Sequence, residues 1–114
     1  MLKGLGGLGD MAKMMKTATE LQAKMAELQA ALARTVVIGE AADGLVRARA
    51  TAKGNLTGLE IDPVLLEPAK KEFLEDMIIA AIQDAQARGA AHSQQEMTRL
   101  TESLGLPADM KLPI

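Results

Sequence analysis

This 114-residue chain contains no cysteine, tryptophan or tyrosine, and only one phenylalanine and one histidine. Without cysteine there is no disulfide, no thiolate metal ligand and no thiol nucleophile. The lone histidine, His92, leaves too few ligands for zinc and no base for a catalytic triad, so it reads as a surface residue. The near absence of aromatics removes the platform on which single-stranded bases stack. No apolar run approaches the ~20 residues of a membrane span. "MLKGLGGLGD" also lacks the continuous apolar stretch of a signal peptide, so a cytoplasmic protein is expected. No cofactor and no small-molecule substrate are expected either.

Methionine, alanine and leucine are abundant instead, a composition suited to packing between helices. Charge is close to balanced, at −2 overall, but unevenly placed. Residues 1–53 carry eight basic and five acidic side chains, whereas residues 54–114 carry five and ten. That polarity leaves room for a local anion-binding face on a protein of pI ≈ 5.4.

Four glycines in residues 1–9 predict a flexible tail, with Asp10 as N-cap of the helix that follows. From there Met11, Met14, Ala18, Leu21, Met25, Leu28 and Leu32 alternate spacings of three and four, the seam of a helix over 10–34. The β-branched "TVVIG" ends that pattern, and turns at Asp43-Gly44 and Lys53-Gly54 divide residues 35–62 into a three-stranded antiparallel meander. A two-residue loop at Lys53-Gly54 sets Val46 against Ile61, Ala48 against Leu59 and Ala50 against Thr57, with one face consistently apolar. A two-residue loop at Asp43-Gly44 sets Glu40 against Arg47, while a three-residue loop there would bury Val36 and Ile38 instead. "IDPVLLEP" leads into a second long helix over 68–103, with Pro68 in its first turn and a possible bend at Gly89. Residues 104–114 form a C-terminal tail.

The fold class is therefore α+β, in the order α-β-β-β-α, as a single domain. The two helices measure ~37 and ~54 Å at 1.5 Å per residue. A seven-residue strand spans only ~23 Å. So small a sheet cannot cover both apolar stripes, and the surplus calls for a second chain, most simply in a symmetric homodimer.

Several blocks carry a family likeness. "GEAADGLV" (39–46), "IDPVLLE" (61–67), "EFLEDMIIAAIQDA" (72–85) and "LGLPADMKLPI" (104–114) occur in this order behind a Met/Lys/Gln-rich opening helix. Together they resemble the YbaB/EbfC family of bacterial nucleoid-associated proteins. The resemblance implies a tweezer-like homodimer in which paired sheets form the body and long helices project. It also implies a nucleoid location and binding to double-stranded DNA with little sequence preference, without cofactor or catalysis. DNA contacts in the family are usually placed on the helices. This chain departs from many relatives after "DA", where "QARGAAHSQQE" replaces a heavily charged run.

The candidate phosphate contacts are Lys3 in the tail, Lys13, Lys16 and Lys24 on the first helix, and Arg49 and Lys53 on the meander. Lys13 and Lys16 lie outside the seam and share a side; Lys24 is also within reach of Glu20 or Glu27. Arg47 faces Glu60 and serves the sheet. Arg49 faces Gly58 and Lys53 sits on a turn, so both are open either to phosphate or to solvent. Arg34 ends the first helix, where the dipole favours a cation without any ligand.

"GLGGLG" (4–9) matches a dinucleotide fingerprint only as a string, since no strand is expected before it. Glu72, Glu75 and Asp76 read as a solvated helix face. The rival function is a helical scaffold that binds protein partners, with incidental DNA affinity.

Overall fold

A seam of alternating three- and four-residue spacing makes a helix, and the first one here is long. The computed structural model describes residues 2–105, with side chains from Gly9 onward. Helix α1 runs from Leu2 to Arg34. The glycine-rich start, expected as a tail capped at Asp10, is helical from Leu2, and "GLGGLG" lies inside α1. Each glycine costs about 1 kcal/mol relative to alanine in a helix. Extending an existing helix nevertheless avoids the cost of a new nucleus.

The sheet follows: β1 (Val36–Ala41), β2 (Val46–Thr51) and β3 (Leu56–Ile61), antiparallel in the order β1-β2-β3. Glu40 pairs with Arg47 and Ala41 with Val46, the register of a two-residue loop at Asp43-Gly44. Both loop residues have positive φ, at 55° and 84°, and Leu45 N–H donates to Ala42 O at 3.1 Å. Ala42, ahead of them, also has positive φ, at 55°, so the chain turns over residues 42–45.

The second hairpin differs from expectation near its tip. Val46 faces Ile61 and Ala48 faces Leu59, but Ala50 faces Leu56 rather than Thr57. Thr51 N–H donates to Asn55 O, which closes a three-residue loop of Ala52, Lys53 and Gly54 (φ 95°). A bulge then offsets the extra loop residue. Thr57 is left over, and its hydroxyl donates to Arg49 O at 3.3 Å.

After β3, two 3₁₀ turns occupy Pro63–Leu65 and Pro68–Lys70. Asp62 caps the first, its Oδ1 accepting from Val64 N–H at 2.9 Å. Helix α2 runs from Lys71 to Ser103, so Pro68 belongs to the preceding turn and not to the helix itself. Ala81, Ala85 and Gly89 of α2 are buried at four-residue spacing. These small side chains let the helix lie close to β1 and β2. Gly89 is such a contact, since a Cβ there would stand 3.0 Å from Ala52 O and 3.1 Å from its Cα. The core gathers Val46, Ala48 and Ala50 from β2 with Leu65, Ala81 and Ala85. It is thin and rich in alanine.

Asp84 of α2 closes the outer edge of β1. Its Oδ2 accepts from Glu40 N–H at 2.9 Å and from Arg88 Nε at 3.0 Å. The backbone N–H of Glu40, followed by Arg88, holds this carboxyl below its ordinary 3.8. A depressed carboxylate pKa contributes stability that is complete above the unfolded value and lost as pH falls through the folded one. Asp84→Ala is therefore expected to cost about 1 kcal/mol at pH 7. Urea titrations should show that difference closing as pH drops below about 4.

Candidate nucleic-acid interface

Successive residues of an α-helix are turned by 100°, so Lys13, Lys16, Glu20, Glu27 and Arg34 fall on the side of α1 away from the seam, with Lys24 at the margin of that side. All six are exposed. From Lys13 to Arg34 the row is ~32 Å long, comparable to one ~34 Å turn of duplex.

Ion pairing separates these cations from the others. Lys24 sits 3.7 Å from Glu27, choosing that partner over Glu20. Arg88 pairs with Asp84, Arg99 with Glu96, Lys70 with Glu67 and Lys71 with Glu75. On the sheet face turned away from α2, Arg47 pairs with Glu40 at 3.3 Å and Arg49 with Glu60 at 3.8 Å. Among the described residues, only Lys13, Lys16, Arg34 and Lys53 lack an ion-pair partner. Three of these four share one face of α1.

The sequence-derived candidates are thus not all brought together. Lys53 lines a cavity of about 320 Å³ with Gln29, Leu32, Ala52, Ser93 and Met97, on the seam side of α1. Arg49 does face Gly58, yet it is not open: its guanidinium lies over that glycine and reaches Glu60 diagonally. Arg47 lies opposite Glu60 in register, as expected, but its ion pair is with Glu40 on the other neighbouring strand. The Lys3 side chain lies outside the described residues. Arg34, read from sequence only as a dipole partner, joins the row, and its helical phase was the signal for it.

No helix among the described residues is long and apolar enough to cross a membrane. Nor does any group of three or more His, Asp or Glu side chains among them stand where it could hold a metal ion.

A model of the YbaB/EbfC DNA-binding family matches residues 7–104. A nucleoid-associated protein of Granulibacter bethesdensis is 44% identical over 104 residues, covering 91% of this chain and 97% of that one. One of Gluconobacter oxydans is 43% identical with the same coverage, and one of Agrobacterium fabrum is 42% identical. An uncharacterized protein from Helicobacter pylori, solved by crystallography, shares the fold with a TM-score of 0.66 at 18% identity, covering 76% of this chain and 91% of that chain. With a family match spanning the projecting helix, the sheet and α2 alike, the chain belongs to the YbaB/EbfC DNA-binding family.

Proposed function

We propose that this chain is a nucleoid-associated protein that binds duplex DNA as a homodimer, with little sequence preference, through phosphate contacts from the lysine face of α1. The observation that carries this reading is the row of unpaired, exposed cations, Lys13, Lys16 and Arg34, on a helix that projects from the body. Lys24, paired with Glu27 on the same helix, stands near enough to add to it, whereas Lys53 lies on the seam side of α1 and is left out. Arg49, already joined to Glu60, is assigned to the sheet. Such a row neutralises phosphates and releases counterions, which costs no base recognition and gives none.

Shape supports the dimer. The chain extends over 81 × 22 × 17 Å with a radius of gyration of 21.5 Å, against about 13 Å for a compact domain of this length. Val36 and Ile38 stand exposed on the open face of the sheet, and Leu56 and Leu59 at its β3 edge. A second copy that covers these residues doubles the cationic row. The names of the relatives support a place in the nucleoid.

Light scattering should give twice the 12.0 kDa chain mass at micromolar concentration. Anisotropy of a labelled duplex across a salt series should give a log–log slope near about −5, from roughly three contacts per protomer. A shuffled duplex should bind within about threefold. A flat salt profile, or no binding at low salt, would make the protein a helical scaffold instead.

A further inference from the structure

Three elements wall the cavity beside Lys53: α1 supplies Gln29 and Leu32, the β2–β3 loop Ala52 and Lys53, and α2 Ser93 and Met97. The loop is held on both its strand and helix sides. Ala52 N–H donates to Thr35 O and Gly54 N–H to Thr51 O, each at 2.9 Å. Ser93 Oγ bridges Ala52 O at 3.1 Å and Gly89 O at 2.9 Å, while Gln86 Nε2 donates to Gly54 O at 3.3 Å. The backbone of Lys53 is therefore placed before anything binds.

The lining has two characters. Leu32, Ala52 and Met97 are 5% exposed or less, so the depth of the cavity is apolar. Gln29 is half-buried and Lys53 exposed, and Lys53 has no ion-pair partner among the described residues. None of the six lining residues is acidic. At about 320 Å³ the volume falls within the range of small-molecule sites.

We infer that this cavity binds a small monocarboxylate with an aliphatic body, its carboxylate on Lys53 and its chain over Leu32 and Met97. One ammonium and one side-chain amide supply donors for a single carboxylate. A phosphate ester needs more, and the Ala52 and Gly54 N–H groups are already engaged within the chain. The unbranched thioether of Met97 adapts to an aliphatic chain. Ser93 is committed to Ala52 O and Gly89 O, so the ligand is held and not transformed. Among the described side chains of α1, only Leu21, Met25, Leu28, Gln29 and Leu32 are covered even in part, and the last two line this cavity. A bound acid touches α1, the loop and α2 together, and so braces the root of α1 against the body. The cavity lies on the seam side, away from Lys13, Lys16 and Arg34, and does not depend on how DNA is bound.

Octanoate at pH 7, where it is ionised, is the probe. Calorimetry should give saturable binding with a Kd near about 1 mM, in keeping with about ten non-hydrogen atoms. In methyl-labelled protein the Met97 resonance should shift more than those of Met11, Met14 and Met15, which are 60%, 70% and 69% exposed. Acetate, which brings charge without a body, should leave Met97 unmoved. Lys53→Ala should raise the Kd about tenfold, the worth of one hydrogen bond to a charged group. The fold is kept, because that side chain is exposed and unpaired. Lys71→Ala removes the same charge from a lysine that already faces Glu75, and should stay within about twofold. Absence of saturation, a larger shift at Met11 or Met14 than at Met97, or equal weakening by the two lysine variants would each overturn the inference.

Discussion

Gly39→Ala is expected to lower the midpoint of thermal unfolding by roughly 15 °C, the equivalent of about 3 kcal/mol in a domain of this size. Gly39 sits in the middle of β1 with its α-carbon turned to α2. A Cβ there would collide with the backbone N of Ala85 and the carbonyl O of Ala81, and would stand 2.7 Å from Ala85 Cα. None of these atoms belongs to a side chain that can rotate away. The helix itself must lift, and with it the contacts among Val46, Ala48, Ala50, Leu65, Ala81 and Ala85. A protein stabilised by about 5–15 kcal/mol loses a large share of its margin this way. Gly58→Ala is the matched control, because the atoms nearest its Cβ would be those of the Arg49 guanidinium, at 3.0 Å. That side chain is free to swing, so the cost should stay below about 1 kcal/mol. Circular dichroism melts of both variants decide the matter. A Gly39→Ala midpoint within about 3 °C of the unaltered protein would mean that α2 does not rest on β1 as described.

The need for that glycine was not legible in the sequence, and the reason is instructive. Periodicity reports which side of an element is apolar, and it placed the α1 seam, the three strands and the apolar stripe of α2. It says nothing of how closely two backbones approach. Gly39 and Gly89 therefore looked like a strand residue and an interruption, when both are points of contact. The hairpin between β2 and β3 shows a related limit. Pairing from Val46 to Arg49 follows from alternating burial, but the loop has one residue more than "KG" implies and the bulge has one to match. The two departures cancel, so only Ala50 betrays them.

Charge is harder still to read from one chain's sequence. Arg49 was open by register, since Gly58 offers it nothing, yet a long side chain reaches the diagonal neighbour Glu60. Arg34 was explained by the helix end alone, although the 100° step put it in phase with Lys13 and Lys16. What separates a binding face from a solvated one is which cations remain without a carboxylate, and that depends on rotamers and on neighbours distant in sequence.

This distinction gives the largest functional effect. Replacing Lys13, Lys16 and Arg34 together with alanine is expected to weaken duplex binding by more than about hundredfold at 50 mM salt, and to flatten the log–log slope by about 0.9 for each contact removed. Folding should be unaffected, because all three side chains are exposed and unpaired. Changing Lys71, Arg88 and Arg99 to alanine lowers the net charge by the same three units. Those cations already face Glu75, Asp84 and Glu96, so phosphate would have to displace a carboxylate to gain anything from them. The second triple should therefore lose no more than about tenfold, through the weaker long-range field alone. If the two triples lose affinity equally, binding follows total charge, and the face of α1 holds no site of its own.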